Sequence, residues 1–190
     1  FYLPQLRRQK DKKPPLQLQE RDFEIIKAVW DNRFLTLSLF VQLFPPDLTR
    51  TPPHVLTEQP KRAGTNLERR LSKLFHHGYL KRVRTERGGE LIYALDQKGA
   101  QLLRERQFSL SPTIDWSEKS RDLSNLYINH ALMVACFRMA LTVALRSHPT
   151  MELAHFERES LDLKAKWRHE GKDIVVNPDA FFILLDTRTD

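Results

Sequence analysis

The chain holds one cysteine, Cys136. That excludes an internal disulfide framework and any zinc site built on several thiolates. No uninterrupted apolar run approaches the roughly 18 residues of a membrane span, so no membrane partner is expected. The first residues, Phe1-Tyr2-Leu3-Pro4, lack the charged, then apolar, then small-residue order of a secretory signal. They also lack an initiator Met, and the chain reads as a fragment or an ordered subset of a longer protein. What is present is ordinary for a folded protein: 190 residues, 41% of them apolar. That is enough for one domain or two small ones, and too apolar for wholesale disorder.

The net charge is +7, and it is unevenly placed. Residues 1–13 carry five basic side chains and one acid; residues 61–90 carry nine basic side chains and three acids. These segments together exceed the total, so the rest of the chain is slightly acidic. A basic cluster on such a background is the footprint of a polyanion binder, with a merely solvated face as the plain alternative.

Residues 1–19 are basic, then rich in Pro and Gln, and predict an extended arm. Phe23, Ile26, Val29 and Trp30, with Ile25 and Ala28 beside them, predict a first helix closed by Asp31-Asn32-Arg33. Thr36 is placed to cap a second, apolar helix from Leu37 to Phe44, ended by Pro45-Pro46. Residues 45–64 hold five prolines and predict a long loop. Thr65-Asn66-Leu67-Glu68 is a capping box opening a third helix. Leu67, Leu71, Leu74 and Phe75 form its buried stripe. Thr65, Asn66, Arg69, Arg70, Lys73, His76 and His77 lie on the other side, and Gly78 supplies the left-handed stop. His76 and His77 are about 100° apart on a helix, so they do not readily share a metal, and they predict exposed polar groups at the helix end.

Tyr79–Val83 and Leu91–Leu95 predict paired strands around the turn Arg87-Gly88-Gly89-Glu90. Asp96 caps a further helix from Gln97 to Gln107. The stretches R-L-x-x-L-x-x-x-G-Y-L-x-R (from Arg70) and Y-x-L-D-x-x-G-x-x-L-L (from Tyr93) resemble bacterial winged helix-turn-helix DNA-binding domains over residues 20–107. In such domains the third helix enters the major groove, where Arg forks onto guanine and Asn onto adenine. The expected duplex-DNA contacts are therefore Thr65, Asn66, Arg69, Arg70 and Lys73 on the helix. Lys81, Arg82, Arg84 and Arg87 follow along the wing, placed for phosphates. A winged helix used for protein contacts is the competing reading.

Residues 108–122 are irregular and predict a linker. Residues 123–190 predict a small α/β domain, possibly incomplete at its C-terminal end. A long helix over residues 123–147 carries Leu126, His130, Val134, Phe137, Leu141 and Leu145 on one stripe, broadened by Ile128, Leu132, Met133, Ala135 and Cys136. It is so apolar that a sheet or a second copy of the chain must cover it, which makes a homodimer through this helix an expectation. Cys136 lies in the apolar run and predicts a core position, with no histidine spaced to activate it. Met151–Glu159 alternates as a half-buried strand does, residues 160–176 are polar and basic around Trp167, and Ala180–Leu185 predicts a buried strand.

With N-H-A-L-M-V early in the long helix and N-P-D-A-F-F-I-L opening the last strand, the chain resembles the replication-relaxation family of bacterial plasmids and other mobile elements. The resemblance implies an α+β protein: a winged helix joined to a domain similar to a truncated restriction-nuclease fold of the PD-(D/E)xK kind. It implies a cytoplasmic, nucleoid-associated protein that binds double-stranded DNA by sequence or by structure, in replication, transfer or transcriptional control. Replication or conjugation proteins would be its partners. A nuclease of that fold would use Asp179 as a metal ligand, because Mg²⁺ prefers hard oxygen donors. No Glu-x-Lys or Asp-x-Lys follows Asp179, and Glu152, Glu157 and Glu159 are the acids nearest in sequence. The chain is thus expected to hold no complete catalytic site and no cofactor. A metal-dependent nuclease, inactive or incomplete here, and an adaptor subunit of a larger assembly stand as the alternatives.

Overall fold

A computed structural model describes residues 14–44, 59–84, 90–106, 125–158, 165–176 and 178–188, with backbone only at 59–65 and 125. The protein is mixed α+β. In chain order its elements are α1 (Glu20–Asn32), β1 (Phe34–Thr36), α2 (Leu37–Leu43), α3 (Gln59–His77), β2 (Leu80–Arg84) and β3 (Leu91–Leu95). These are followed by α4 (Gln97–Glu105), α5 (Asn125–Leu145), β4 (Met151–Arg158), β5 (Ala165–His169), β6 (Lys172–Val176) and β7 (Ala180–Asp186). Backbone proximity divides the chain into residues 1–135 and 136–190, so α5 gives its first half to one unit and its second half to the other.

In the first unit, β3 is the centre of a three-stranded antiparallel sheet ordered β1-β3-β2. Phe34 faces Ala94 on one side of it, and Val83 faces Ile92 on the other. The three-residue β1 lies where the sequence suggested only a break between helices. Three residues are too few for strand alternation to register, and the pairing comes from β3. The core joins Ile25, Ile26 and Val29 of α1, Phe40 of α2, Leu71 and Leu74 of α3, and Leu103 of α4, all fully buried. Phe34, Val83, Ile92 and Ala94 also pack with Ile128 and Ala131 of α5.

Local chemistry explains the ends. The Thr36 hydroxyl accepts from the Leu39 amide, capping α2. Gly78, at φ +87°, ends α3, with its amide on the Phe75 carbonyl and that of Tyr79 on the Leu74 carbonyl. Asp96 caps α4 by accepting from the Gln97 amide at 2.8 Å. Gly99 is required by a close approach: a Cβ there would lie 2.4 Å from the Tyr79 carbonyl oxygen. The start of α3 differs from expectation. The helix begins at Gln59, so Thr65 lies inside it and not at its cap. Pro60 falls in the first turn, where its missing amide costs nothing.

In the second unit, β4 and β7 pair antiparallel, with Phe156 opposite Phe182 and Leu153 opposite Leu184. Phe137 of α5 packs on both rings, at 6.5 Å from Phe156 and 5.5 Å from Phe182. The stretch 165–176, polar in sequence, contains a second antiparallel pair, β5–β6, with Trp167 opposite Ile174. Glu170 and Gly171 both take positive φ, at 48° and 75°, as a tight two-residue hairpin turn requires. Its signal was Glu-Gly set between Trp167 and the β-branched run Ile174-Val175-Val176.

The long helix corrects two expectations. Its buried side chains are Ile128, Ala131, Ala135 and Met139, whereas Leu126 and Phe137 are exposed. Cys136 is exposed and does not lie in a core. A helix that is apolar all round carries no periodic signal for which side turns inward.

Candidate nucleic-acid interface

The described part of α3 has a sharply divided surface. Leu67, Leu71, Leu74 and Phe75 are buried, which anchors the helix by roughly 1.5–3 kcal/mol per side chain. Asn66, Glu68 and Arg69 are exposed, and Lys73 is half-buried. The expected contact residues thus fall into distinct groups.

Asn66 and Arg69 are exposed on the outer side of α3, and Arg84 is exposed at the end of β2. Arg70 is turned the other way. Its guanidinium holds the Asp22 carboxylate of α1 with two nitrogens and donates to the Gln17 carbonyl at 2.7 Å. Asp22 is almost wholly buried, its side chain 1% exposed against 22% for Arg70. The hydrogen bond to Asp22 pushes the Arg70 pKa still higher, against the opposing effect of burial. Asp22 also accepts from the Gln19 amide at 2.7 Å, so one carboxylate caps α1 and ties α3 to it. Nothing in the sequence around Asp22 marks it as a buried acid, because its partner lies 48 residues away.

Two cations on β2 are also engaged. Lys81 lies 3.9 Å from Asp96, with both side chains mostly covered. Arg82 lies over the rings of Phe75 and Tyr93, at 4.8 and 5.4 Å from their centroids. Burial pushes the Tyr93 hydroxyl above its ordinary pKa, and Arg82 opposes that by charge and hydrogen bond. Arg87 and the side chain of Thr65 lie outside the described residues.

Neighbouring groups set the frame. Glu90, just before β3, accepts from the Ser38 amide at 2.6 Å and the Ser38 hydroxyl at 2.8 Å. An acid is thereby placed at the first turn of α2, where the helix dipole favours it, and the base of the β2–β3 pair is fixed to that helix. His77 is half-buried, its Nε2 2.8 Å from the Pro14 carbonyl, so the end of the basic arm runs along α3. His76 is half-buried as well, its ring edge-on to Phe75 at 5.2 Å. Neither is the exposed polar group expected at that helix end, because the 14–19 segment and Phe75 cover them.

In the second unit Asp179 is exposed, as are Glu152 and Glu157 on β4. Among the described residues no three His, Cys, Asp or Glu side chains gather closely enough to hold a metal ion. Glu159 lies outside them.

A family model described as replication-relaxation matches residues 27–189, most of the chain. No curated protein and no solved structure matches.

Proposed function

Since the chain belongs to the replication-relaxation family, which points to a role in the replication or relaxation of plasmids or other mobile elements, we propose that it acts there as a double-stranded DNA-binding protein. Residues 20–107 then form a winged helix-turn-helix, α3 being the reading helix and the β2–β3 pair the wing. The observation carrying this reading is the division of α3: an apolar back seated in the core and an outer side bearing exposed Asn66 and Arg69. Their chemistry suits base edges in a major groove, adenine for the amide and guanine for the guanidinium. Lys73, Arg84 and Arg87 then serve phosphates. Arg70, Lys81 and Arg82 act within the protein, holding α3 and β2 in place, and touch no DNA.

The test is a mobility shift on duplex fragments of the parent element. Asn66→Ala with Arg69→Ala is expected to weaken binding at least about tenfold, at the low end of what forked base contacts contribute. Unchanged affinity in that variant would refute the assignment of α3.

A further inference from the structure

We propose that the β5–β6 hairpin is a contact surface for single-stranded nucleic acid, with Trp167 as the platform on which an unstacked base lies. The inference rests on the second unit alone and does not depend on α3. Within residues 136–190 the charge is divided. Residues 164–172 carry four basic side chains and one acid, whereas the remainder carries four basic side chains and eight acids. The hairpin is thus a basic ribbon on an acidic background, the footprint of a polyanion contact.

The register places the groups. Trp167 is opposite Ile174, and His169 is opposite Lys172. Directly opposite residues share a face, and so do alternate residues along a strand. Ala165, Trp167, His169, Lys172, Ile174 and Val176 therefore occupy one face, and Lys166, Arg168, Asp173 and Val175 the other. All of β5 is exposed, and in β6 Ile174 alone is half-buried. Trp167 itself is 48% exposed. The strand face that bears this indole carries Lys172 and no acid, while Lys166 and Arg168 flank Trp167 along the chain. Rings set among cations are how protein surfaces hold single strands: the ring stacks on the base and the cations take the phosphates. A duplex is the poorer fit, because its base faces are closed within the stack and only their edges reach a groove.

The test uses the whole chain with a labelled oligothymidylate of about 20 nucleotides and, in parallel, a labelled duplex, both read by fluorescence anisotropy. Trp167→Ala is expected to weaken oligothymidylate binding at least about fivefold, the low end for one base–aromatic stack, and to leave duplex binding unchanged. Trp167→Phe keeps a ring and should recover most of the loss. Lys172→Ala should make the log–log salt slope for the oligothymidylate shallower by about 0.7, the value of one phosphate on a single strand. Both positions are exposed, so the far-UV spectrum should not change. Asn66→Ala with Arg69→Ala should show the reverse pattern, losing duplex and keeping oligothymidylate. A chain that binds oligothymidylate through Trp167 and ignores duplex would refute the reading of α3 and support this one. A wild type that ignores oligothymidylate at low salt, a Trp167→Ala variant that binds it as wild type does, or one that loses duplex and single strand equally would overturn the proposal. So would Trp167-dependent capture by anionic lipid vesicles in place of oligothymidylate.

Discussion

Arg69 and Arg70 are adjacent, share a side-chain type and differ in fate because a helix turns about 100° between them. One is exposed on the outside of α3; the other pairs with a carboxylate buried in α1. Arg70→Ala would strand the Asp22 charge without its partner and is expected to cost about 3 kcal/mol, as for other broken buried pairs. Arg69→Ala should change stability by no more than about 0.5 kcal/mol. Urea denaturation of the two variants checks this, and equal losses would contradict the assigned roles. Gly99→Ala is a second residue-scale prediction. The added methyl meets a backbone carbonyl that cannot rotate away, so a loss of about 2 kcal/mol is expected in the same assay.

At the scale of elements, what the sequence made legible was what local chemistry decides. The buried stripe of α3, its stop at Gly78, the span of β3 and the Asp96 cap of α4 each follow from a side-chain period or a backbone requirement. What escaped depended on partners remote in sequence. The β1 strand exists through β3, and the burial of Asp22 depends on Arg70, 48 residues away. The start of α3 was hidden by a capping box that the helix runs through. For the proposed interface, charge and helix pattern singled out one element but could not sort its cations. Arg70, Lys81 and Arg82 have the composition of phosphate ligands, yet the structure gives them internal partners. Their replacement should therefore act through stability. Lys81→Ala is expected to lower the urea midpoint while binding by the folded fraction stays within about twofold of wild type, and a large loss of affinity in stably folded protein would return Lys81 to the interface.

For the whole molecule, α5 gives its first half to one unit and its second half to the other. Ile128 and Ala131 serve the core of the first unit, and Phe137 packs on the β4–β7 pair of the second.

The most direct test of DNA recognition by α3 is duplex affinity by fluorescence anisotropy across a salt series. Each phosphate neutralised contributes about −0.9 to the log–log slope. Wild type is expected to bind with a slope steeper than about −2, and Asn66→Ala with Arg69→Ala should bind more weakly at every salt concentration. A chain that ignores duplex DNA at low salt, or a double variant that tracks wild type throughout, would contradict the account.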